Sequence, residues 1–131
     1  MIDIPAQILS HLQADAPLVA LVGSRLWAES DFPPAGYTPA DGPGIAFKLR
    51  GGAADYIPMH RPSVQFKCYG ANEVTAWQCY RALVDALHEQ PGANVRWGQS
   101  EIYGQTLREP DSGWLFVLAF FSLWVRSVEA S

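Results

Sequence analysis

The stretch Ser63-Val64-Gln65-Phe66-Lys67-Cys68-Tyr69-Gly70-Ala71-Asn72-Glu73, continuing through Val74, Trp77 and Tyr80 to Gln90, decides the fold. Val64, Phe66 and Cys68 alternate with Ser63, Gln65 and Lys67, a period of two that puts one apolar and one polar face on a β-strand. Gly70-Ala71-Asn72 breaks the strand, and Asn72 is suited to cap a helix because its side-chain oxygen accepts from first-turn amides. Glu73 then sits at the positive helix end. Val74, Trp77, Tyr80, Leu83, Val84 and Leu87 recur at helical spacing, and Pro91-Gly92 stops the helix. A strand feeding a helix that folds back over its sheet is the seed of an α/β sandwich.

Outward from this unit, composition sets the bounds. The 131 residues suit a single domain, 1–131, large enough to bury one core without staples. Five Trp, five Tyr and six Phe are many for a small interior, so either the core is aromatic-rich or some rings reach a subunit interface. Nine Lys plus Arg against 13 Asp plus Glu give a net charge of −4, and the cations are scattered singly, which argues against a dedicated nucleic-acid grip. There is no apolar run of about 18 residues, so no membrane-spanning helix is expected. Met1 to Pro5 lacks a basic region and a signal-peptide core, and the expectation is a soluble protein made in the cytoplasm. Cys68 and Cys79 are expected as buried free thiols in that compartment, with a bridge between them left geometrically possible.

Toward the N-terminus, Ile4, Ile8, Leu9 and Leu12 share one face of a helix over Pro5–Gln13. Asp15 caps a shorter helical turn through Pro17, Leu18, Leu21 and Val22, ended by Gly23. Arg25-Leu26-Trp27 suits a brief strand. Residues 28–43 carry four prolines and form a long irregular stretch; Phe32 and Tyr37 at its centre favour docking over a free surface loop. Gly44 to Arg50 alternates as a half-buried strand. Residues 51–62, holding Tyr56, Met59, His60 and Arg61, form a second long connection, expected to project as an arm.

After the central helix, Val95 to Gln99 reads as a strand that Ile102 to Leu107 continues past a bend at Gly98 or Gly104. Glu109-Pro110-Asp111-Ser112-Gly113 is a turn. The last strand, Trp114 to Val125, is apolar on both parities: Trp114, Phe116, Leu118 and Phe120 on one, and Leu115, Val117, Ala119, Phe121, Leu123 and Val125 on the other. An antiparallel strand with a wet face should alternate. Both faces must therefore be covered, one by the two main helices and the other by the chain's own loops or, as favoured, a second copy. The fold class is thus α/β (α+β), a mixed, mostly antiparallel sheet with two helices packed on one face and long loops.

Motifs of chemistry are missing. His11, His60 and His88 lack metal-ligand spacing, and the cysteines form no CxxC. Neither GxSxG nor SxxK occurs, and Gly42-Pro43-Gly44 and Gly51-Gly52 match no phosphate-binding loop. Glu101, Glu109 and Asp111 make a loose acidic group best read as a solvated hairpin end. No enzyme activity, cofactor or metal is expected.

The order of elements does resemble a family. A short helical N-terminus, a Pro-rich loop, the strand Gly44-Ile-Ala-Phe-Lys-Leu49 and the segment Arg61-Pro-Ser-Val-Gln-Phe-Lys-Cys-Tyr-Gly-Ala-Asn-Glu-Val-Thr-Ala-Trp-Gln-Cys-Tyr-Arg-Ala-Leu-Val-Asp-Ala-Leu-His88 precede a closing strand pair. This looks like the tail-terminator (tail-completion) proteins of long-tailed bacteriophages and prophages, the lambda-type terminator among them. The Pro-rich insertion at 28–43 is a departure from that pattern. The resemblance implies a virion structural protein of the tail or neck, assembled in the host cytoplasm. It implies a homohexameric ring that caps the head-proximal end of the tail tube, stops its polymerisation and offers a surface to the head–tail connector protein. DNA would pass through the lumen without specific binding, and no cofactor is implied. In that role the inter-subunit contacts are expected at Phe32, Tyr37, Tyr56, Met59, Trp114, Phe116, Phe121 and Trp124. A head–tail connector, or a small-molecule-binding or enzymatic α+β domain with polar residues converging around His60, His88 or Glu101, is the alternative.

Overall fold

Gly70 is where the central strand turns into the central helix, and it can only be glycine: a Cβ there would run into the Ala76 backbone nitrogen. In the computed structural model, which describes residues 4–29, 32–53, 59–92 and 95–126 (backbone alone for 51–53, 59, 60, 96, 102, 103 and 126), strand β3 spans Met59–Gly70 and helix α3 spans Glu73–Leu87. The Asn72 side chain accepts from the Thr75 amide at 2.9 Å, capping α3. Before them come α1 (Ile4–Gln13), α2 (Ala16–Val22), β1 (Leu26–Ala28), a 3₁₀ turn at Pro39–Asp41 and β2 (Gly44–Ala53); after them come β4 (Val95–Arg108) and β5 (Leu115–Arg126).

The five strands lie in the order β1-β2-β3-β5-β4. β1 pairs parallel to β2, and the other three pairings are antiparallel. The mixed, mostly antiparallel α+β architecture is as the alternation indicated, with one change: three helices, not two, cover one face. α2 is a full helix, with Asp15 accepting from the Leu18 amide at 3.0 Å and Gly23, at φ 56°, closing its end. Ile8, Leu12, Leu18 and Val22 from α1 and α2 are fully buried in the same core as α3.

The stripe that α3 buries is Ala76, Cys79, Tyr80, Leu83, Ala86 and Leu87. It is rotated from the expected one, leaving Val74 exposed and Trp77 and Val84 partly buried. The physical reason lies in the sheet. Phe47, Phe66 and Phe121 form a row of rings there, 5.5 Å between successive centroids, and fill the space under the helix. Small side chains at Ala76, Cys79 and Ala86 suit a helix lying on that bulk. Cys68 and Cys79 are both free and buried; burial first, and their mutual hydrogen bond second, push the Cys68 thiol well above its ordinary range.

Two connections are more regular than expected. β2 continues to Ala53 and β3 starts at Met59, so most of 51–62 is paired strand; Gly52 stands opposite Pro62 just past a register shift, where the missing proline amide is tolerated. Residues 54–58, including Tyr56, lie outside the described residues. β4 runs unbroken through Gly98 and Gly104, absorbing three register irregularities instead of a break.

Phe121 has no exposed surface and sits among the sheet-to-helix rings, so its assignment to a subunit contact is corrected: it is core. Phe121→Ala should destabilise the fold by about 3–5 kcal/mol in urea unfolding, whereas Val74→Ala, at an exposed site, should shift stability by less than about 0.5 kcal/mol.

Candidate functional site

The face of the sheet opposite the helices takes the even-numbered residues of β5 and the odd-numbered residues of β3. In register across it lie Gly44, Tyr69, Phe116 and Leu107 in one row; Ala46, Lys67, Leu118 and Gln105 in the next; then Lys48, Gln65 and Phe120. The face is divided into a closed end and an open end.

The closed end is covered by the chain's own Pro-rich loop. Tyr37 is buried there, its ring 4.8 Å from Trp27 and 5.8 Å from Trp114 in edge-on contacts. Its hydroxyl donates to the Gly42 carbonyl at 2.7 Å, which pins the loop across the 3₁₀ turn. Tyr69 packs beside Phe116 at 5.5 Å and Trp114 at 6.4 Å. With Ala46, Tyr37, Tyr69 and Phe116 form a second small core of this chain. Tyr37 and Phe116, expected at inter-subunit contacts, are instead buried within this chain, and Trp114 is half-buried beside them. The loop docks, as Phe32 and Tyr37 suggested, but Tyr37 docks on its own sheet.

At the rim of this cluster, Lys67 Nζ lies 3.2 Å from Glu109 Oε1, and the Tyr69 hydroxyl donates to the same oxygen at 2.6 Å. The ammonium also lies 4.8 Å from the Phe32 ring centroid and 4.9 Å from that of Phe116. Glu109 is buried and bonded, not part of a solvated hairpin end. Nothing in local spacing signalled this, because Lys67, Tyr69 and Glu109 meet only when the β4–β5 turn folds back over β3. Phe32 stays 59% exposed at the mouth of a pocket of about 300 Å³ that it forms with Pro33, Glu109, Pro110 and Trp114.

The open end lacks any such cover among the described residues. Arg50 lies 4.3 Å over the Phe120 ring and Arg61 lies 5.8 Å over Trp124. Ser63 and Ser122, opposite each other in register, both donate to Glu101, at 2.9 and 2.8 Å to Oε2. Trp97 faces Trp124 across the strand pair and is 38% exposed. Trp124 thus lies on a partly exposed surface, while for Met59 only the backbone is described, paired with Arg126 at the end of β3.

This fold is shared with a virion protein. A chain in the solved virion of a native gene transfer agent particle superposes with a TM-score of 0.60 at 22% identity, covering 95% of each chain. At that identity the likeness concerns the fold. No family model matches the sequence, and no curated protein matches it.

The polar residues that a pocket-type site would have used are dispersed. His88 Nδ1 accepts from the Ser100 amide at 3.0 Å, His11 Nε2 meets the Ala86 carbonyl at 2.9 Å, and Glu101 is held by its two serines. Among the described residues no group of three His, Cys, Asp or Glu is placed to hold a metal ion, and no helix is long and apolar enough to cross a membrane. The residues missed from sequence are Arg50, Arg61, Lys67 and Trp97. Their polar or isolated character along each strand gives no sign of the rings they meet across strands.

Two expectations follow for the closed end. Glu109→Ala leaves the Lys67 ammonium largely buried without its carboxylate and should cost about 3 kcal/mol in urea unfolding, only part of it recovered by adding Lys67→Met because the Tyr69 hydroxyl also loses this acceptor. Burial pushes the Tyr37 phenol up to about 12, against the pull of Arg25; in the unfolded chain it ionises near 10, so the stability from keeping it neutral is full below about pH 10 and lost between about pH 10 and 12. Tyr37→Phe should flatten the fall of stability across that window, at a cost of about 1 kcal/mol at neutral pH for the lost hydrogen bond, both read from melts between pH 7 and 12.

Proposed function

We propose that this chain is a structural protein of a phage or phage-like particle, and within it a tail terminator. It forms a homohexameric ring on the head-proximal end of the tail tube, halts tube growth and presents the docking surface for the head–tail connector protein. The observation that carries this is the fold shared end to end with a chain of a gene transfer agent virion, together with the element order and the Arg61–His88 segment that resemble the terminator family. Two features of the surface suit an assembly protein. The sheet face is half open, with aromatic rings at its surface, and Phe32 is exposed beside an apolar pocket. DNA passes through the lumen without specific binding, in keeping with a net charge of −4. Catalysis has no part in the role.

A head–tail connector would share this logic of assembly, and the partner separates the two. Light scattering and negative-stain images of the purified protein, alone and with the tail-tube protein, should give rings of about six times the 14.4 kDa chain mass. Added to growing tubes, the protein should cap one end and stop elongation. Rings that bind only portal-side proteins would move the assignment to the connector. A stable dimer that ignores the tube would overturn both. Phe32→Ala should weaken assembly without changing the melting profile of the isolated chain.

A further inference from the structure

The charged side chains are sorted between the two faces of the sandwich. The sheet face carries Lys48 and Arg50 on β2 and Arg61 and Lys67 on β3. Among its described carboxylates Glu109 is paired with Lys67, Asp111 lies beside it at the closed end, and Glu101 accepts from Ser63 and Ser122, so the positive excess sits at the open end on Lys48, Arg50 and Arg61. The helix layer shows the opposite balance. Glu73, Asp85 and Glu89 are exposed on and just beyond α3, and Asp15 caps α2. Of the described cations on this side, Arg108, opposite Leu115, donates to the Gly113 carbonyl at 3.1 Å, and Arg25, at the sheet edge, to the Pro43 and Leu21 carbonyls at 2.8 and 3.2 Å, which leaves Arg81. Asp15 and Asp85 wall two adjoining clefts between the helices, one of about 400 Å³ that His11 also lines and one of about 510 Å³ that Arg81 also lines. A molecule of net charge −4 therefore has a basic, aromatic open end on its sheet face, backed by helix grooves that carry Asp15 and Asp85.

We propose that the open sheet face of one copy packs on the helix layer of the next copy, with Arg50 directed into the cleft of about 400 Å³ walled by Asp15 and Asp85 and, among the described residues, free of Lys and Arg. The occupant is a second copy because the complementary surface is on this same chain. The two patches differ, so the contact is heterologous, the kind that propagates around a ring when its rotation closes. Arg50 is built for it. Its guanidinium lies over the Phe120 ring, 4.3 Å from the centroid. A guanidinium in cation–π contact with one ring still has N–H groups to offer a carboxylate. The partly exposed rings of Phe120 and Trp124 would lose their remaining water against the neighbour's helices, adding apolar burial to a contact steered by charge. This deepens the ring assignment and rests on it. It also keeps the basic face away from DNA in the lumen.

Charge reversal in two separate variants tests it. Arg50→Glu and Asp85→Arg are both at exposed positions and each should keep the wild-type circular dichroism and melting temperature. Each alone should weaken self-association, by sedimentation velocity with and without tail-tube protein, by about tenfold or more. An equimolar mixture should assemble like the wild type, because changed face then meets changed face and native meets native around an alternating ring. Wild-type assembly by each variant alone would overturn this contact and leave the ring standing. Two failing variants that do not rescue each other would mean that the faces are not partners. Loss of duplex-DNA binding in Arg50→Glu with assembly intact would assign the face to nucleic acid and overturn the proposal. A wild-type chain that never associates under either condition would remove the ring and this contact together.

Discussion

The structure depends on β5, a strand with no face that can be left to water. It lies between β3 and β4, and its odd-numbered residues from Leu115 to Val125 are all buried against the helix side. Its even-numbered residues include Phe116, Leu118, Phe120 and Trp124, which also gain by leaving water. Both layers of the molecule answer that demand. Three helices close over one side. On the other, a loop too rich in proline to join a ladder lays Tyr37 over Tyr69 and beside Trp114.

That second cover is incomplete among the described residues. One loop closes the end of the face near Phe116, and a buried lysine–glutamate–tyrosine cluster fastens the rim. Such a cluster is tolerable because every buried polar side-chain atom among the described residues finds a partner. Toward Trp124 nothing described covers the rings except the side chains of Arg50 and Arg61. A monomer can keep such a surface soluble with stacked cations, and an assembly can use it. The helix layer carries Asp15 and Asp85 at both of its grooves and Arg81 at one of them.

Much of this is legible in the sequence. Period-two alternation placed β2 and β3, helical spacing and Asn72 placed α3, and Asp15 and Gly23 bounded α2, because these signals arise within one element. The doubly apolar β5 announced a strand covered on both sides. Which cover it receives was not legible. Tyr37 is one aromatic in an irregular stretch, and only the path of the loop across the sheet turns it into core. Phe120 and Phe121 fall on opposite parities of β5, and only the packing showed that Phe121 lies under the helices and Phe120 under Arg50. Val74 belongs to the helical repeat and still faces water, because the rings of Phe47, Phe66 and Phe121 select the small side of α3.

Taken alone, the sequence determined the elements, their amphipathic faces, the α+β class and the need for burial on both sides of the last strand. These follow from local periodicity, capping and the proline and glycine rules, which act over a few residues. Tertiary structure decided the sheet order, the rotation of α3, the burial of Glu109 with Lys67 and Tyr69, and the division of the sheet face into closed and open ends. Those depend on pairs such as Lys67 and Glu109, 42 residues apart, whose attraction exists only after strands far apart in the chain have met.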